Sequence, residues 1–394
     1  MITKLKTYTA IIAINALRKK YPDFRILVVV PTTALREQWY EKLNEQNLIF
    51  NIEVRVINTV VKHQWDCDLL VIDEIHRCAS DQFSQVFSKV TYKLILGLTA
   101  TMERLDGKEY LIKKYCPVVD EITQMEAVIN KWISDYKEYQ VLIEVDNIDE
   151  YKQMNREWVE HFEFFGYNFN LAMSMCGKDG WKNKLAYRDE ICLDKDENKR
   201  KEVLQAISFH SVRFMQLMQK RKAFINNHPK KIEVAQKIIE HRPNSKIITF
   251  SNNVGMAEAI SNGEYVYTGK TSKKKGRVML EDFISGKINI LNSCHKLNEG
   301  FDVPDISVGI ILGTDSSEIK ARQRRGRTIR KYGNKEAEIF YIIIKDTIES
   351  KWFQTSHKND NNYITIDEQG LEQVLRGEQP TRYTPKLGEI MFRF

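Results

Sequence analysis

Cysteine pairs of the kind that bind zinc or build a disulfide framework are missing from this sequence. None of the six cysteines forms a C-x-x-C pair, which argues against a zinc or disulfide scaffold and favours reduced thiols. No apolar run approaches the roughly 18 residues needed to span a bilayer, which argues against a membrane protein. The first residues, Met1-Ile2-Thr3-Lys4, do not resemble a secretory signal. We therefore expect a cytoplasmic protein with no membrane partner.

The sequence also has only a small excess of one charge sign. The chain has 60 lysines and arginines against 53 aspartates and glutamates, a net charge of +7. Its 394 residues are too many for one ordinary core, so two domains with additional elements are expected. A hydrophobic content of 42% and a charged content of 29% are typical of a globular protein.

Strand-like apolar runs alternate with helical patterns in both halves of the chain. This alternation predicts an α/β fold with parallel sheets covered by helices. The predicted strands are Ile26–Val30, Glu53–Ile57, Leu69–Ile72, Leu94–Leu98, Ile247–Phe250, Tyr265–Tyr267, Ile288–Leu291, Val308–Leu312 and Ile339–Ile344, and the first predicted helices are Thr7–Lys19 and Ala34–Asn47. We expect a first domain at 1–130 and a second at 131–350, with a helical insertion at about 146–228. The tail, 351–394, is expected to be polar and irregular.

An acidic pair follows one of the predicted buried strands. Asp73-Glu74-Ile75-His76 comes directly after Leu69–Ile72, so both carboxylates should emerge where open α/β sheets bind ligands. One acid can hold Mg²⁺ while its neighbour polarises a water molecule against a phosphate. Turns and helix caps are often acidic too, so the acidic pair indicates a catalytic site only together with other motifs.

Hydroxyl side chains follow two further strands. Pro31-Thr32-Thr33 leads into a helix, and Gly97-Leu98-Thr99-Ala100-Thr101 ends a strand. Hydroxyls and helix N-terminal amides suit phosphate groups. Read alone, Pro31-Thr32-Thr33 is more typical of an ordinary capped helix start, and Gly97–Thr101 is typical of a strand end and turn.

The second half contains a turn and a basic segment of the same character. Leu297–Pro304 places Asp302 after Gly300 and just before a rigid proline. Residues 319–335 contain eight basic residues and no acid. Arg327 and Arg330 are three apart, so on a helix both project from one face and can bind a transferring phosphoryl group. A solvated basic helix is the alternative.

Taken in order, these segments resemble the motifs of superfamily 2 DNA helicases of the DExH-box type. Asp-Glu-x-His, Thr-Ala-Thr, Glu-Gly-x-Asp-x-Pro and Gln-x-x-Gly-Arg-x-x-Arg resemble motifs II, III, V and VI. Pro31–Trp39 resembles motif Ia and Ile248–Asn252 resembles motif IV. The similarity covers about residues 5–345 and is greatest to the XPB/UvsW-like branch of repair and recombination, which also occurs in phages. A phage origin would place the protein in host cytoplasm.

The resemblance implies two tandem RecA-like domains with ATP and Mg²⁺ between them and DNA as partner, RNA not being excluded. By position, Asp73 would hold Mg²⁺ with Thr7, and Glu74 would activate the attacking water. His76 and Gln323 would link nucleotide state to domain closure. Lys6, Gly300 and Asp302 would lie at the nucleotide, and Arg327 and Arg330 would reach its γ-phosphate. The implied nucleic-acid contacts are Thr32, Arg36, Thr59, Thr99, Thr101, Ser251, Ser293 and Lys270.

The phosphate loop departs from the family pattern Gly-x-Gly-Lys-Thr. The segment that aligns there is Thr3-Lys4-Leu5-Lys6-Thr7, in which Lys6 and Thr7 match but Thr3 and Leu5 replace the glycines. A leucine where open backbone is needed should clash with a nucleotide or displace the loop. Either the amino-terminal portion comes from elsewhere, as from a separate polypeptide, or ATP binding is impaired.

Two basic segments lie outside these motifs. Gly269-Lys270-Thr271 imitates the end of a phosphate loop, but Ser272-Lys273-Lys274-Lys275 follows it, so we interpret it as a basic surface segment. From 213 to 231 basic residues occur without an acid, near Phe214 and Phe224. This block suits a DNA strand by charge and stacking, or else an amphipathic helix with aromatics in its core.

Three functions follow. The first is an ATP-dependent DNA helicase or translocase of repair, recombination or replication. The second is a nucleic-acid-binding helicase remnant with impaired ATP binding. The third, the motor subunit of a restriction system, is disfavoured because no nuclease constellation is visible in 351–394.

Overall fold

Two parallel β-sheets organise the chain in the computed structural model. The structure describes residues 2–99, 102, 107–122, 126, 129–130, 135–261, 264–294, 306–314, 324, 336–358 and 362–385. The strands are β1 Ile26–Val30, β2 Ile52–Val56, β3 Trp65–Asp66, β4 Leu69–Asp73, β5 Val90–Thr91, β6 Leu94–Leu98, β7 Tyr136–Ile143, β8 Ile247–Ser251, β9 Val266–Tyr267, β10 Ile290–Cys294, β11 Val308–Ile311, β12 Ala337–Ile344 and β13 Ile364–Ile366.

Helices connect and cover these strands. They are α1 Ile2–Lys20, α2 Thr33–Glu45, α3 Ile57–Val60, α4 Val86–Lys89, α5 Glu109–Lys113, α6 Ile148–Glu163, α7 Phe169–Ser174, α8 Gly180–Ile191, α9 Glu197–Asn227, α10 Pro229–Glu240, α11 Val254–Ile260, α12 Lys273–Ser285, α13 Ile348–Ser356 and α14 Glu368–Leu375. Two short 3₁₀ helices cover Ile75–Ala79 and Phe83–Gln85. Within the described part of the chain, no helix has the length and apolarity that crossing a membrane would require.

The first sheet has the order β2-β1-β4-β6, and every neighbouring pair is parallel. Strands β1 and β4 are buried along their whole length, as expected for inner strands covered on both faces. Alternate residues of β1 enter two separate clusters: Val28 packs with α1 and α2, whereas Val29 packs with the short helices after β4. The carboxyl ends of all four strands therefore share one edge.

The second sheet has seven parallel strands in the order β13-β7-β12-β11-β8-β10-β9. Strand β12, the third in this order, is almost wholly buried, and its residues alternate between the two clusters on either face. A third pairing, β3 with β5, makes a two-stranded parallel ribbon.

The segment between β7 and α10 is helical, as the sequence predicts. Helices α6, α7, α8 and α9 pack around an aromatic cluster that includes Phe165 and Phe214. Helix α9 has 31 residues and is therefore roughly 46 Å long at the usual rise per residue. Because both aromatics are almost completely buried, the insertion has a core of its own.

Two parts of the second sheet differ from the sequence expectation. Strand β7 was not predicted, since Lys137, Glu138 and Gln140 interrupt its apolar pattern. The structure buries Glu138 against His357 Nε2 at 3.1 Å, and Thr365 Oγ1 donates to Gln140 Oε1 at 2.9 Å. Hydrogen bonds to these polar groups make their burial tolerable inside a sheet.

The expectation of an irregular tail is wrong for the described residues after 351. Strand β13 pairs with β7, and α14 packs on the same sheet. Strand β13 has three residues, which are too few for a period-two pattern to stand out in the sequence. Helix α1 also differs from prediction, because it begins at Ile2 rather than Thr7.

Candidate nucleotide and nucleic-acid sites

Predicted site residues gather at the carboxyl edge of the first sheet. Asp73 is the last residue of β4, and Glu74 follows it. Thr32 comes two residues after β1, and Thr99 comes one residue after β6. Since these strands are parallel neighbours, the sheet itself brings the groups to one edge, where ligands bind in open α/β folds.

The Asp73 carboxylate is buried and has two hydrogen-bond donors. Trp39 Nε1 donates to Asp73 Oδ2 at 3.0 Å, and the Glu74 amide donates to Asp73 Oδ1 at 3.0 Å. Burial, together with the charge of Glu74, raises the pKa of Asp73 above its usual range. A buried carboxylate whose ionised form is penalised in this way is well suited to a cation.

Glu74 has an unusual backbone and a strong ion pair. Its φ of 53° and ψ of 47° place it in the left-handed region, at a cost of roughly 1–2 kcal/mol for a residue with a Cβ. Its Oε1 lies 2.7 Å from Lys6 Nζ, and its Oε2 lies 3.3 Å from His76 Nδ1. Burial alone would raise the pKa of Glu74, but Lys6 and His76 outweigh it and lower the pKa to about 2. Glu74 is therefore an anion at neutral pH.

His76 connects the acidic pair to the end of β6. The buried ring places Nδ1 at 3.0 Å from Thr99 Oγ1 and close to Glu74. The Thr99 hydroxyl thus contacts the same imidazole that contacts the Glu74 carboxylate. The result is a continuous polar chain from Lys6 through Glu74 and His76 to Thr99.

Lys6 and Thr7 lie inside α1 rather than at its start. Residues 2–5 continue the helix upstream, and helical amides past the first turn are engaged in internal hydrogen bonds. Lys6 donates to Glu74, and Thr7 is buried. The segment that aligns with a phosphate loop is therefore helical, because residues such as Leu5 favour a helix where glycines would open a loop.

The residues present fit one part of an ATP–Mg²⁺ site and not another. Asp73 and Thr7 offer the oxygen ligands that Mg²⁺ takes alongside phosphate oxygens, and Lys6 offers an ammonium group. No trio of metal-binding side chains occurs among the residues the structure describes, which is compatible with a metal held largely by phosphates. The backbone cradle for the β-phosphate is not formed by residues 3–5.

The predicted nucleic-acid contacts in the first half lie close to the same edge. Thr32 is the N-cap of α2 and accepts from the Leu35 amide at 3.3 Å. Arg36 is half-buried one turn further along α2, and Thr59 is exposed on α3. Their roles in nucleic-acid binding remain predictions.

The predicted contacts in the second half divide into two groups. Ser251 and Ser293 are each 1% exposed at the ends of β8 and β10, and Ser251 Oγ donates to the Asn253 carbonyl at 2.8 Å. They lie within the sheet rather than on its surface, and their proposed contact with nucleic acid stays a prediction. Lys270 is exposed in the turn between β9 and α12.

Six predicted site residues lie outside the described part of the chain. They are Thr101, Gly300, Asp302, Gln323, Arg327 and Arg330. Their roles remain predictions from the sequence.

The basic block at 213–231 is largely structural. Lys231 is fully buried and bonded to Glu349 at 2.6 Å. Arg221 is buried with its guanidinium 4.3 Å from the Trp158 ring centroid, and Phe214 is core. The interpretation of Phe214 as a base-stacking residue is therefore wrong, since a buried ring has no free face. Lys220 and Lys222 remain exposed.

Two residues of these sites were missed by sequence reasoning. Trp39 lies seven residues after Thr32, and its position in an apolar helical stripe gave no sign that its indole would hold Asp73. Arg324 adjoins Gln323, yet its buried guanidinium donates to the Gly313 carbonyl instead of facing solvent. Only the run of arginines around it drew attention to this segment.

The sequence matches two family models. The model described as the helicase conserved C-terminal domain matches residues 230–332. The model described as the type III restriction enzyme, res subunit, matches residues 6–62 and 57–104. Together these matches include the acidic pair, the Thr99 strand end and the arginine-rich segment.

Several curated proteins are similar to this chain. The DNA 3′-5′ translocase XPB2 of Sulfurisphaera tokodaii is 26% identical over 344 residues, which is 82% of this chain and 73% of that protein. A putative ATP-dependent RNA helicase of Acanthamoeba polyphaga mimivirus is 22% identical, covering 96% of this chain. The Fanconi anemia group M protein homolog of Mus musculus is 30% identical over 164 residues, or 40% of this chain. The chain spans 59% of the viral protein's length and 7% of the mouse protein's.

Solved structures share the fold. The Pyrococcus furiosus Hef helicase domain aligns with a TM-score of 0.52 at 16% identity, covering 89% of this chain and 92% of that chain. S. cerevisiae Dbp5 bound to RNA and ADP BeF3 aligns with a TM-score of 0.52 at 12% identity, covering 90% and 81%. The α/β fold with two tandem RecA-like domains is thereby confirmed.

Proposed function

This chain belongs to the superfamily 2 helicases, in the branch that includes XPB and related repair helicases, and from this premise we propose that it is the motor of an ATP-driven DNA helicase or translocase. The observation that carries the proposal is the convergence of Lys6, Asp73, Glu74, His76 and Thr99 at one strand edge. Repair, recombination or replication is the proposed setting.

In the proposed mechanism the acidic pair divides the work. Asp73 and Thr7 would hold Mg²⁺, which when bound would polarise the phosphate. Glu74 takes a proton from the attacking water, which it does poorly while Lys6 holds its pKa near 2. Transfer of Lys6 from Glu74 to a phosphate group would raise that pKa and release the base. The Lys6–Glu74 pair thus keeps Glu74 from acting as a base until Lys6 moves to a phosphate group.

The remaining roles follow the family motifs. We propose that His76 and Gln323 transmit nucleotide state between domains and that Gly300 and Asp302 lie beside the nucleotide. Arg327 and Arg330 are proposed to stabilise the charge of the transferring phosphoryl group. The proposed domains are 1–130 and 131–350.

The test is ATP hydrolysis by the purified chain with and without long DNA. We expect DNA-stimulated hydrolysis that falls by about 10²-fold or more in Glu74→Gln, the range for loss of a general base, and falls likewise in Arg330→Ala. Glu37→Gln, on the exposed face of α2, is the matched control and should behave as wild type. Absence of hydrolysis by the wild-type chain with long DNA would refute the motor for this chain acting alone.

One observation favours the second candidate, a nucleic-acid-binding remnant. Because α1 begins at Ile2, residues 3–5 present no glycine-rich cradle. This candidate predicts salt-sensitive DNA binding without measurable ATP affinity. Titration with a fluorescent ATP analogue, alongside DNA titrations at two salt concentrations, distinguishes the two candidates.

The outer edge of β6 suggests how a phosphate loop would be completed. No described strand pairs with this edge, and Leu94 is 44% exposed there. The opposite edge strand, β2, is protected, because Tyr40 Oη bonds both the amide and the carbonyl of Val54. Natural sheets protect edges that are not used for pairing. In the described part of the chain, the backbone of β6 has a contact of this kind at Gly97, from the Cys116 thiol, and Leu94 at its other end stays exposed.

Apolar side chains continue this surface beyond β6. Cys116 Sγ lies against Gly97, and the chain that follows exposes Val118, Val119 and Ile122. Contiguous exposed apolar side chains commonly mark an interaction site. We propose that a strand from a separate polypeptide adds to β6 and supplies the glycine-rich loop next to Lys6.

Replacing residues 1–5 tests this completion. An apolar five-residue strand followed by a glycine-rich loop would be placed directly before Lys6, with a control in which leucines replace the loop glycines. We expect ATP affinity only in the glycine form, because only glycines allow the backbone to approach a phosphate closely. Equal ATP affinity of both forms would contradict the proposal.

A further inference from the structure

One buried cation of the helical insertion has no partner of opposite charge. Arg221, near the end of α9, is 7% exposed. Within the described part of the chain its guanidinium takes part in no hydrogen bond and no ion pair, and its Nε atom is shielded from solvent. Charged groups that leave water are normally paired, because an unpaired buried charge is unfavourable. Such a guanidinium is available to an external anion.

Two aromatic rings of α6 fix the position of this guanidinium. Its Cζ atom lies 4.3 Å from the Trp158 ring centroid and 5.7 Å from the Tyr151 ring centroid. Tyr151 Oη accepts from the Ile348 amide at 3.1 Å, which holds that ring against the start of α13. Cation–π attraction to both rings offsets part of the cost of burial, but it leaves the N–H groups without acceptors.

The tip of the guanidinium reaches the surface. The Nε atom of Arg221 is shielded from solvent, whereas Nη1 and Nη2, which also have no acceptor, are not completely shielded. Trp158 Nε1 is a further buried donor without a partner in the same cluster. The planar fork of an arginine matches two oxygens of a phosphate or a carboxylate. A fork that is fixed at its base and open at its tip is therefore suited to bind an oxyanion.

Two cations on either side of Arg221 in the sequence are bonded. Lys231 has its buried glutamate partner and also donates to the Leu312 carbonyl after β11 at 2.9 Å. Arg213, about two turns before Arg221 on α9, donates to Glu157 Oε2 at 3.3 Å. The fold therefore pairs the cations before and after Arg221 and leaves Arg221 itself without an anion.

The immediate surroundings of the fork contain no acid at helical spacing. Between Tyr151 and Trp158 on the same face of α6 are Met154 and Asn155, which are uncharged. On α9 and the start of α10, residues 203–232 contain no acid. A rearrangement of these neighbouring side chains would therefore not supply a carboxylate.

We propose that Arg221 binds a phosphate of the nucleic-acid backbone. Lys220 and Lys222 are exposed, so the surface around the fork carries further positive charge. A nucleic acid presents a row of phosphates and gains affinity from each cation that it meets, whereas a single carboxylate would use the fork alone. This inference rests on the proposed function only in taking nucleic acid as the source of the phosphate, and it does not depend on ATP hydrolysis.

The salt dependence of DNA binding by the full chain, measured without ATP, tests the assignment. Arg221→Met removes the charge but keeps an apolar side chain against the rings. We expect the steepness of log K against log salt on duplex DNA to fall by roughly 0.9, the value for one phosphate contact. Arg213→Met is the matched control on the same helix, and its slope should stay that of wild type because Arg213 already has Glu157 as its partner. An unchanged slope in Arg221→Met, or an equal decrease in Arg213→Met, would overturn the proposal.

Arg221→Lys keeps one positive charge without the fork. The slope should return to that of wild type, while the affinity at a fixed salt concentration should be about fivefold lower, the effect of losing one hydrogen bond. If Arg221→Lys has the same slope as Arg221→Met, the packing of the arginine rather than its charge supports DNA binding, and the proposal is overturned.

Hydrogen exchange separates phosphate binding from structural support and identifies the source of the phosphate. A bound phosphate neutralises the buried charge, so DNA should slow exchange of the α6 and α9 peptides around Trp158 and Arg221 about fivefold in wild type and leave it unchanged in Arg221→Met. Without DNA the two proteins should match, and a faster exchange of Arg221→Met already in that state would overturn the proposal. Protection by inorganic phosphate at the same ionic strength, with none by DNA, would overturn the assignment to nucleic acid. A chain that binds DNA but hydrolyses no ATP would still show these differences, so failure of the proposed motor is distinguishable from failure of this site.

Discussion

At the scale of single residues, Lys6 decides how the acidic pair behaves. The carboxylate of Asp73 is buried and that of Glu74 is mostly so, yet their pKa values move in opposite directions. Glu74 has the ammonium group of Lys6 at 2.7 Å, whereas Asp73 has the neutral indole of Trp39. Opposite shifts in adjacent acids are what a site with two distinct carboxylate roles requires.

Lys6→Met tests this pairing through its pH dependence. The folded-state pKa of Glu74, about 2, lies below the ordinary value of 4.5, so the pairing stabilises the fold above pH 4.5 and loses its effect as pH falls toward 2. The free energy of unfolding of Lys6→Met should therefore approach that of wild type as pH falls through this window. Urea unfolding at pH 7 and at pH 3.5 measures the difference.

Lys62→Met changes an exposed lysine in the turn after α3 and is the control. Its small effect should not vary with pH in this range. A difference between wild type and Lys6→Met that stays constant from pH 7 to pH 3.5 would contradict the pairing with Glu74.

The Lys231–Glu349 pair is a second test at this scale. Both side chains are completely buried, and removing one partner leaves an uncompensated charge, which typically costs about 3–5 kcal/mol. We expect Lys231→Met to lower the free energy of unfolding by this amount in urea titrations. The double variant Lys231→Met/Glu349→Leu should regain most of it, because apolar replacement of both partners removes the buried charge.

Lys237→Met provides the comparison on the same helix. Lys237 pairs with Glu372, but its side chain is 42% exposed, and exposed pairs contribute about 1 kcal/mol or less. A small effect of Lys231→Met, equal to that of Lys237→Met, would show that the buried pair does not hold the turn after β11.

At the scale of elements, buried apolar strands were predictable and polar ones were not. The bounds of β1 and β6 match the sequence prediction, because five consecutive apolar or small residues end at clear turn residues. Strand β7 escaped prediction because the partners of its lysine, glutamate and glutamine lie far along the chain, at Glu336, His357 and Thr365. The start of α1 escaped it because a phosphate-loop alignment competed with helix propensity at residues 2–5.

In the candidate site, too, some positions were predictable from the local sequence and others were not. The strand ends that carry Asp73 and Thr99 follow from local pattern, and parallel pairing of β4 with β6 then brings them together. The bond from Lys6 to Glu74 spans 68 residues, and no local pattern encodes such a pairing. Arg324 likewise required the structure, since an arginine in a basic run is expected in solvent.

The helices of the insertion carry a prediction about pH. His161 and His210 join α6 to α9 with their Nδ1 atoms 3.0 Å apart. Burial lowers the pKa of both rings; Arg213 lowers that of His161 further, against the opposing charges of Glu160 and Glu157. The hydrogen bond requires that at least one ring be neutral.

Lowering the pH should therefore loosen the insertion. Because the folded-state pKa values lie below the ordinary value of 6.5, the unfolded state binds more protons and stability falls as pH drops below 6.5. We expect hydrogen exchange in α6 and α9, corrected for the intrinsic rate, to be faster at pH 5.5 than at pH 7.5. In His161→Gln this pH effect should shrink, while the exposed control His63→Gln should keep it. An undiminished pH effect in His161→Gln would contradict the prediction.

At the scale of the whole molecule, each sheet has its own hydrophobic clusters, and the insertion has another. The proposed motor would work by relative movement, which needs parts that stay folded while their contacts change. Separate cores provide such parts without a change of secondary structure. The sites then lie at strand ends, where one part can present groups to another.

The exposed lysines near β9 predict how the whole molecule should bind nucleic acid. Lys270, Lys274 and Lys275 are exposed in the turn and first turn of α12 that follow β9. If they contact phosphates, replacing all three with alanine should reduce the steepness of log K against log salt by roughly 0.9 per contact on duplex DNA. Fluorescence anisotropy across a salt series measures this slope.

Lys93, Lys137 and Lys287 form the matched control set, because each is exposed and already paired with an acid of the chain. Each control substitution would free an acidic side chain, which would weaken DNA binding slightly. The phosphate contacts would be retained, so the slope of log K against log salt should stay that of wild type. A triple variant at Lys270, Lys274 and Lys275 with an unchanged slope would place the nucleic acid elsewhere. The helix starts after β1 and β2, which carry Thr32 and Thr59, would then be the next surface to test, since these strands end at the same edge of the sheet as β4.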